Sequence, residues 1–473
     1  MFPPKFPFRL SPEDRTALAD AALEGRGLPA PRRQFAWTAL ILGLALSVLD
    51  GTIANVALPT IATHFRAGAA ASIWIVNGYQ LAIVMSLLPL ASLGEVLGYR
   101  TVYLAGIALF TAASVGCAQA DSLAGLTLAR IVQGLGAAGM MSVNTAVLRY
   151  TVPRRTFGSA IGINALVVAV SSTTGPVVAG LVLAVLDWRW LFAINVPLGL
   201  VSLALGLPSL PPSPRAEGRF DWPGAVLSAV AIGLTVTVID SIGHRLSWYL
   251  IAAQVGVCVP AFVLLVRRAR TSERPILPLD LLRIPVFTLS ICTSISSFAT
   301  HLLAFVALPF LFQMVMGYPP AEVGFLMMPW SLAVAVIAPL AGRMSDRYPP
   351  AILGGIGLAL LAVGMGALGL LAPEAGIADI AWRMALCGLG FGLFQAPNNR
   401  TMLDAAPMAR SGAASGMLST ARLTGQSLGA ALVALMLARF GLAGAHGALF
   451  LGTAFATLAA ITSLSRLSFT GPR

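Results

Sequence analysis

Charge is scarce in this chain. Only 10% of its 473 residues are Asp, Glu, Lys or Arg, against about 25% in ordinary soluble domains, and that deficit excludes a soluble enzyme. Lysine is nearly absent, with one Lys against 29 Arg among the 30 basic residues. Cysteine is equally sparse: Cys117, Cys258, Cys292 and Cys387 all fall in apolar runs without metal-ligand spacing, so neither a disulfide nor structural zinc is expected. No His-Glu-x-x-His and no facing pair of intramembrane aspartates occurs, and His301 has no evident nucleophile partner. An intramembrane enzyme is therefore a distant alternative. A P-loop is also missing, which removes ATP as an energy source through this chain, and the charge rings or filter carbonyls of a passive channel have no counterpart in the sequence.

What the chain has in abundance is apolar sequence, 57% of the total. Runs long enough to cross a hydrocarbon core of roughly 30 Å recur throughout. Expected spans are 36–58, 72–93, 101–119, 122–148, 156–186, 190–207, 222–242, 248–266, 286–315, 321–341, 351–372, 377–399, 412–437 and 446–465, which makes an all-α polytopic membrane protein with 14 transmembrane helices. Ser11-Pro12-Glu13-Asp14 reads as the start of a short helix before the first span, and no secretory signal is expected there. With both termini cytoplasmic, 23 of the 30 basic residues lie inside and only Arg66, Arg189, Arg245, Arg383 and Arg439 lie outside, as the positive-inside rule demands. Topology thus accounts for the net charge of +12, and no nucleic-acid partner is expected.

The sequence repeats at an offset near 250. Pro89-Leu90-Ala91 returns as Pro339-Leu340-Ala341, Arg130 with Gly134-Leu135-Gly136 as Arg383 with Gly388-Leu389-Gly390, and Gly158, Gly162 and Gly175 as Gly412, Gly416 and Gly429. Each copy holds six spans, and spans seven and eight lie between them. The expected architecture is 6+2+6, two parallel pseudo-repeats around a central cavity, as in two-bundle secondary transporters. The expected divisions are a cytoplasmic N-terminal segment at 1–34, a six-helix bundle at 35–207 and an insert with two extra helices and cytoplasmic loops at 208–284. A second six-helix bundle follows at 285–466 and a cytoplasmic tail at 467–473.

Leu49-Asp50-Gly51-Thr52-Ile53-Ala54-Asn55-Val56-Ala57-Leu58-Pro59 resembles the first-span signature of the fourteen-span drug:proton antiporters of the major facilitator superfamily. Arg130-Ile131-Val132-Gln133-Gly134-Leu135-Gly136 is similar to that superfamily's fourth-span motif, and Gly175-Pro176-Val177-Val178-Ala179-Gly180 to its fifth-span antiporter motif. Trp188-Arg189-Trp190-Leu191-Phe192-Ala193-Ile194-Asn195-Val196-Pro197 resembles the stretch opening span six in this branch. The inner loop that carries Glu95, Gly98 and Arg100 departs from the usual motif, with Ala91 for Gly, Glu95 for Asp and Val96 for Arg. The resemblance implies a major facilitator fold and multidrug efflux, hence antibiotic resistance, driven by the proton gradient without a cofactor. It also implies drug-like small molecules, protons and the bilayer of the cytoplasmic (inner) membrane as partners, a monomer, and room for accessory envelope proteins.

Asp50 lies roughly 20 Å deep by helical rise, where insertion of an Asp costs about 2.5–3.5 kcal/mol. A carboxylate kept at that depth reads as a proton carrier, or else as a structural buried pair. Arg130 is expected at the same depth as its electrostatic partner, and the resemblance gives that position a part in proton transfer; snorkelling to the outer headgroups is the alternative. Arg130, Gln133, Ala137, Met140 and Asn144 share one face of span four, and Ser415, Ser419, Arg422, Gln426 and Gly429 share one of span thirteen. Asn55, Tyr79, Gln133, Asn144, Arg422 and Gln426 are the expected cavity lining, with Trp74, Asn77 and Gln80 as further candidates. Gly162, Gly175, Pro176 and Gly180 are expected to kink and closely pack span five for gating. Because Asp50 is the one deep carboxylate, a cationic substrate competing there with the proton is expected; an anionic metabolite on the same fold is the alternative raised by Arg130 and Arg422.

Overall fold

The computed structural model describes residues 27–153, 156–213, 220–243, 247–271, 279–345, 347–406 and 411–469. Its long helices are α1 (Ala30–His64), α2 (Trp74–Leu97), α3 (Tyr99–Ala118), α4 (Leu123–Thr151), α5 (Phe157–Val185), α6 (Asn195–Ser209) and α7 (Trp222–Gly243). There follow α8 (Trp248–Thr271), α9 (Pro285–Phe310), α10 (Pro320–Met344), α11 (Pro350–Gly369), α12 (Ile377–Ala405), α13 (Ser411–Phe440) and α14 (Gly444–Ser465). Among the described residues there is no β-strand. The helix expected after Ser11, the outer-side residue Arg245 and the side chain of Ser415 lie outside the described set.

Local sequence sets the helix ends. Pro285, Pro320 and Pro350 open α9, α10 and α11, where a fixed φ is helical and a missing N–H costs nothing. Ser122 caps α4 by accepting from the Gly125 N–H at 3.1 Å. Gly98, at φ +95°, is the single residue on which α2 ends and α3 begins, a backbone state that only glycine adopts cheaply.

By length and composition 11 helices can cross a membrane, or 12 when the bent pair Leu166–Ser172 and Thr174–Val185 is one span. The count differs from the expected fourteen at two places. Gly416–Ser468 is one 53-residue stretch although a 3₁₀ turn, Gly441–Ala443, divides it into α13 and α14, and Trp222–Thr235, the described apolar part of α7, is by itself shorter than a span. Outward faces carry large apolar side chains such as Leu332, Val363 and Ile461, each more than 60% exposed; a surface of this kind is stable against lipid and aggregates in water. Helix α9 is the central column, 94% buried over its apolar window, whereas α8 is 11% buried and peripheral.

Small residues let these columns approach. A Cβ added at Gly106 of α3 would sit 2.8 Å from the Gly136 carbonyl oxygen of α4, and one at Gly357 of α11 would sit 2.6 Å from that of Gly390 in α12. The same pairing therefore recurs in the second copy, where dispersion contacts between close backbones replace the hydrophobic drive that lipid does not supply. At one end of the molecule the halves are sealed together. Gln313, in the π-turn that ends α9, donates to the Val56 carbonyl of α1 at 2.8 Å, and Gly180 of α5 lies against Gly324 of α10.

Candidate functional site: a caged ion pair beside a cationic pocket

Three helices and the start of a fourth converge on Asp50. Its carboxylate is 2% exposed and accepts a charge-assisted hydrogen bond from Arg130 of α4, forming an ion pair. Gln133, one turn further along α4, donates to Asp50 Oδ1 at 3.1 Å, and Asn195, the first residue of α6, donates to the same oxygen at 2.6 Å. Arg130 is fully buried. Its Nε donates to the Ile75 carbonyl at 3.2 Å and its Nη1 to Gln133 Oε1 at 2.6 Å, while the guanidinium lies 4.0 Å from the centroid of the Tyr79 ring. Gln133 is itself fixed by donating to Ser114 Oγ of α3 at 2.9 Å. The carboxylate thus holds three donors, and the guanidinium has an acceptor network and an aromatic face.

Desolvating two charges costs several kcal/mol per ion, which a single ion pair repays only with good geometry and added hydrogen bonds. This cage provides both for the carboxylate and for most of the guanidinium, whose Nη2 alone is buried without an acceptor. Protonation of Asp50 removes the charge that Arg130, Gln133 and Asn195 all bind, so one proton loosens contacts linking α1, α4 and α6. Asn195 was not a candidate from sequence, although it stands in the quoted stretch before Pro197. Its signal would have been an amide beginning a helix just after a break, with Trp190–Ala193 as a separate turn.

A pocket adjoins this cage through Tyr79, between α1, α2, α4, α5 and α13. Its lining includes Ser47, Thr52, Tyr79, Gln80, Arg422 and Gln426. Three of the hydroxyls there are engaged with backbone: Ser47 donates to Gly43 O at 2.8 Å, Thr52 to Leu49 O at 2.9 Å and Tyr79 to Ser47 O at 2.6 Å. Arg422 is the one charged residue in this lining.

The expected cavity residues therefore divide. Tyr79, Arg422 and Gln426 line the pocket, and Gln80 joins them. Asn55, Gln133 and Asn144 do not: Asn55 is fully buried, Gln133 belongs to the Asp50 cage, and Asn144 donates to Leu40 O at 3.2 Å and accepts from Asn164 at 2.7 Å. They share helix faces as expected, but those faces meet neighbouring helices. Trp74 and Asn77 are likewise absent from the lining. Asp50 is not among the residues that line this pocket, and Arg422 is.

Helix α5 packs where its glycines lie. A Cβ on Gly175 would fall 2.1 Å from Thr52 Oγ1 of α1, and one on Gly180 would fall 2.9 Å from the Ala321 carbonyl of α10. The helix bends by 42° at Thr173, next to Ser172, whose carbonyl loses its donor because Pro176 has no N–H. The surroundings of Gly162 lie outside the described set. In the inner-loop group Glu95 is exposed, Gly98 makes the α2–α3 turn, and Arg100 donates to the Leu207 carbonyl at 2.5 Å, tying α3 to the end of α6.

The family model described as Major Facilitator Superfamily matches residues 40–430. The chain belongs to the major facilitator superfamily. It is 49% identical over 453 residues to the "Uncharacterized transporter YebQ" of Escherichia coli (strain K12), covering 95% of this chain and 99% of that one. It is 33% identical to the multidrug resistance protein Stp of Mycobacterium tuberculosis (strain CDC 1551 / Oshkosh), covering 84% and 74%. The tetracenomycin C resistance and export protein of Streptomyces glaucescens is 30% identical, with 87% and 77% covered. Among solved structures, a bacterial homolog of the human lysosomal transporter Spinster, in an inward-facing and occupied conformation, superposes with a TM-score of 0.66 at 17% identity over 94% of this chain and 98% of that one. The chain is accordingly an integral membrane transporter for small molecules, its relatives being named as transporters and some as exporters of antibiotics.

Proposed function

We propose that this superfamily member is a proton-coupled exporter of amphipathic small molecules in the cytoplasmic membrane, with Asp50 and Arg130 as the proton-coupling pair. The observation that carries the reading is the cage around Asp50. A buried carboxylate that holds three donors from two other helices changes the packing of α1 against α4 and α6 when it takes a proton, which is the differential interaction a proton needs to bias two conformations. Tyr79 and Cys117 are the other titratable side chains beside the pair. Substrate binds in the pocket lined by Tyr79, Gln80, Arg422 and Gln426, so proton and substrate act on different faces of α1. Their coupling runs through the position of that helix. Export as the direction is supported by the antibiotic resistance relatives and by the Gly175–Gly180 segment of α5 packing between α1 and α10.

The same reading takes both termini as cytoplasmic, fourteen crossings as 6+2+6, α7 and α8 as the insert, and a monomer as the working unit. Arg422 in the pocket keeps the second reading, proton-coupled transport of an anionic metabolite. Purified protein in vesicles with an imposed pH gradient tests the main one. Substrate movement should follow the proton gradient and stop when a protonophore collapses it. Movement unaffected by the protonophore would exclude proton coupling.

A further inference from the structure

The pocket holds three polar side chains that make no hydrogen bond to the protein among the described residues: Arg422, Gln80 and Gln426. Gln80 is 3% exposed, and its Oε1 is buried without a donor. Arg422 forms no ion pair among the described residues, and no Asp or Glu lines the pocket. A guanidinium half withdrawn from water without a counter-charge, in the same lining as an amide acceptor without a donor, is an unfavourable arrangement unless something complementary enters. The hydroxyls of Ser47, Thr52 and Tyr79 are already spent on backbone carbonyls of α1, so they add shape and leave charge recognition to Arg422. Apolar contact comes from Ile83 and Met141 and from the ring of Tyr79.

The geometry points to a binding site for aromatic amphiphiles that carry an anionic or strongly accepting oxygen edge, such as a carboxylate or enolate, beside a hydrogen-bond donor. The oxygen edge takes the planar fork of Arg422, the donor meets Gln80 Oε1, and Gln426, which has both donor and acceptor, closes the remaining edge. A lipophilic cation finds no counter-charge in this lining and a repelling one in Arg422. This inference rests on the transport reading above and names its substrate class. It reverses the charge preference that the depth of Asp50 suggests, because Arg130 already neutralises that carboxylate behind the pocket wall.

Binding of nalidixate, an aromatic keto-carboxylate, and of tetraphenylphosphonium to the purified full-length protein tests the charge rule, with salicylate as the probe that sets a phenolic donor beside its carboxylate. The wild type should bind nalidixate and salicylate more tightly than the cation. Arg422→Gln should weaken both anions about tenfold or more and leave the cation equal or tighter, Arg422→Lys should restore part of the loss, and Gln80→Leu should weaken salicylate more than nalidixate. The wild-type ranking needs no variant to fold, so tetraphenylphosphonium bound more tightly than both anions overturns the proposal, as does an equal loss of all three ligands in a folded Arg422→Gln protein. Proton coupling fails separately: anion-selective transport that ignores the pH gradient would sink the coupling pair and leave this site standing.

Discussion

Val56-Ala57-Leu58-Pro59 in α1 returns as Val306-Ala307-Leu308-Pro309 in α9, an offset that sets Asp50 opposite Thr300 and Gly51 opposite His301. The neighbours correspond as well. Gly134 packs on the Tyr79 carbonyl in the first half and Gly388 on the Trp330 carbonyl in the second, so Tyr79 and Trp330 are counterparts. In the first half the space beside that aromatic holds the Asp50–Arg130 pair. In the second half it holds His301, stacked on Phe305 and Phe391 with ring centroids 4.1 and 4.8 Å away, and with Trp330 edge-on at 5.7 Å. Arg383, the repeat counterpart of Arg130, instead pairs one turn back with Asp379 at 2.7 Å near the start of α12. One backbone arrangement thus accepts either a buried ion pair or a box of rings. The same packing of helices is built in the second half without buried charges at that position.

The comparison breaks most sharply at Asp50. Asp50→Asn keeps the shape of the protonated acid, so the protein should insert and fold while transport driven by a pH gradient falls to background; uphill transport at the wild-type rate in that variant would remove Asp50 as the proton site. Next in size is Arg130→Met, which leaves a buried carboxylate unpaired and should cost about 3–5 kcal/mol, read as a lower unfolding midpoint in detergent. Combining it with Asp50→Asn should recover most of that stability without recovering transport. Asn195→Ala removes one donor to the ionised carboxylate, worth about 1.5–3 kcal/mol. The ionised form loses support, so the pH for half-maximal transport should move upward, and an unchanged profile would make Asn195 a packing residue only. Smallest is His301→Leu in the second half. The Nδ1 of His301 is buried without a partner, and an apolar group of similar size there should leave stability and transport within about twofold of wild type.

Much of this was legible in the sequence. The long apolar runs gave helices, which extend past the spans by a turn or two, as α1 does from 36–58 to Ala30–His64. Counting helical rise put Asp50 and Arg130 at one depth, and the fold places them in contact. Periodicity established which residues share a face but not what that face meets: Gln133 and Asn144 lie on the Arg130 side of α4, yet they hydrogen-bond to α3 and α1 rather than reach the pocket. Asn195 reaches Asp50 across 145 residues, and no helical period carries information over a break of that kind. Arg466, counted with the cytoplasmic cations, is 1% exposed because Ser290, Asn398 and Ser463 surround its guanidinium between α9, α12 and α14. A terminal Arg next to a polar end of a bundle gives no sign in sequence of which way it turns.

The central claim is that proton and substrate occupy separate sites joined by α1. Proton release on ligand binding, followed in weakly buffered solution with nalidixate as ligand, tests it most directly. The wild type should release protons as ligand binds, and Asp50→Asn, fixed in the protonated form, should bind the same ligand measurably but more weakly, by the factor with which ligand lowers proton affinity, and release none. Loss of binding together with loss of release in a folded Asp50→Asn protein would mean that the two share one site, and the account would be wrong.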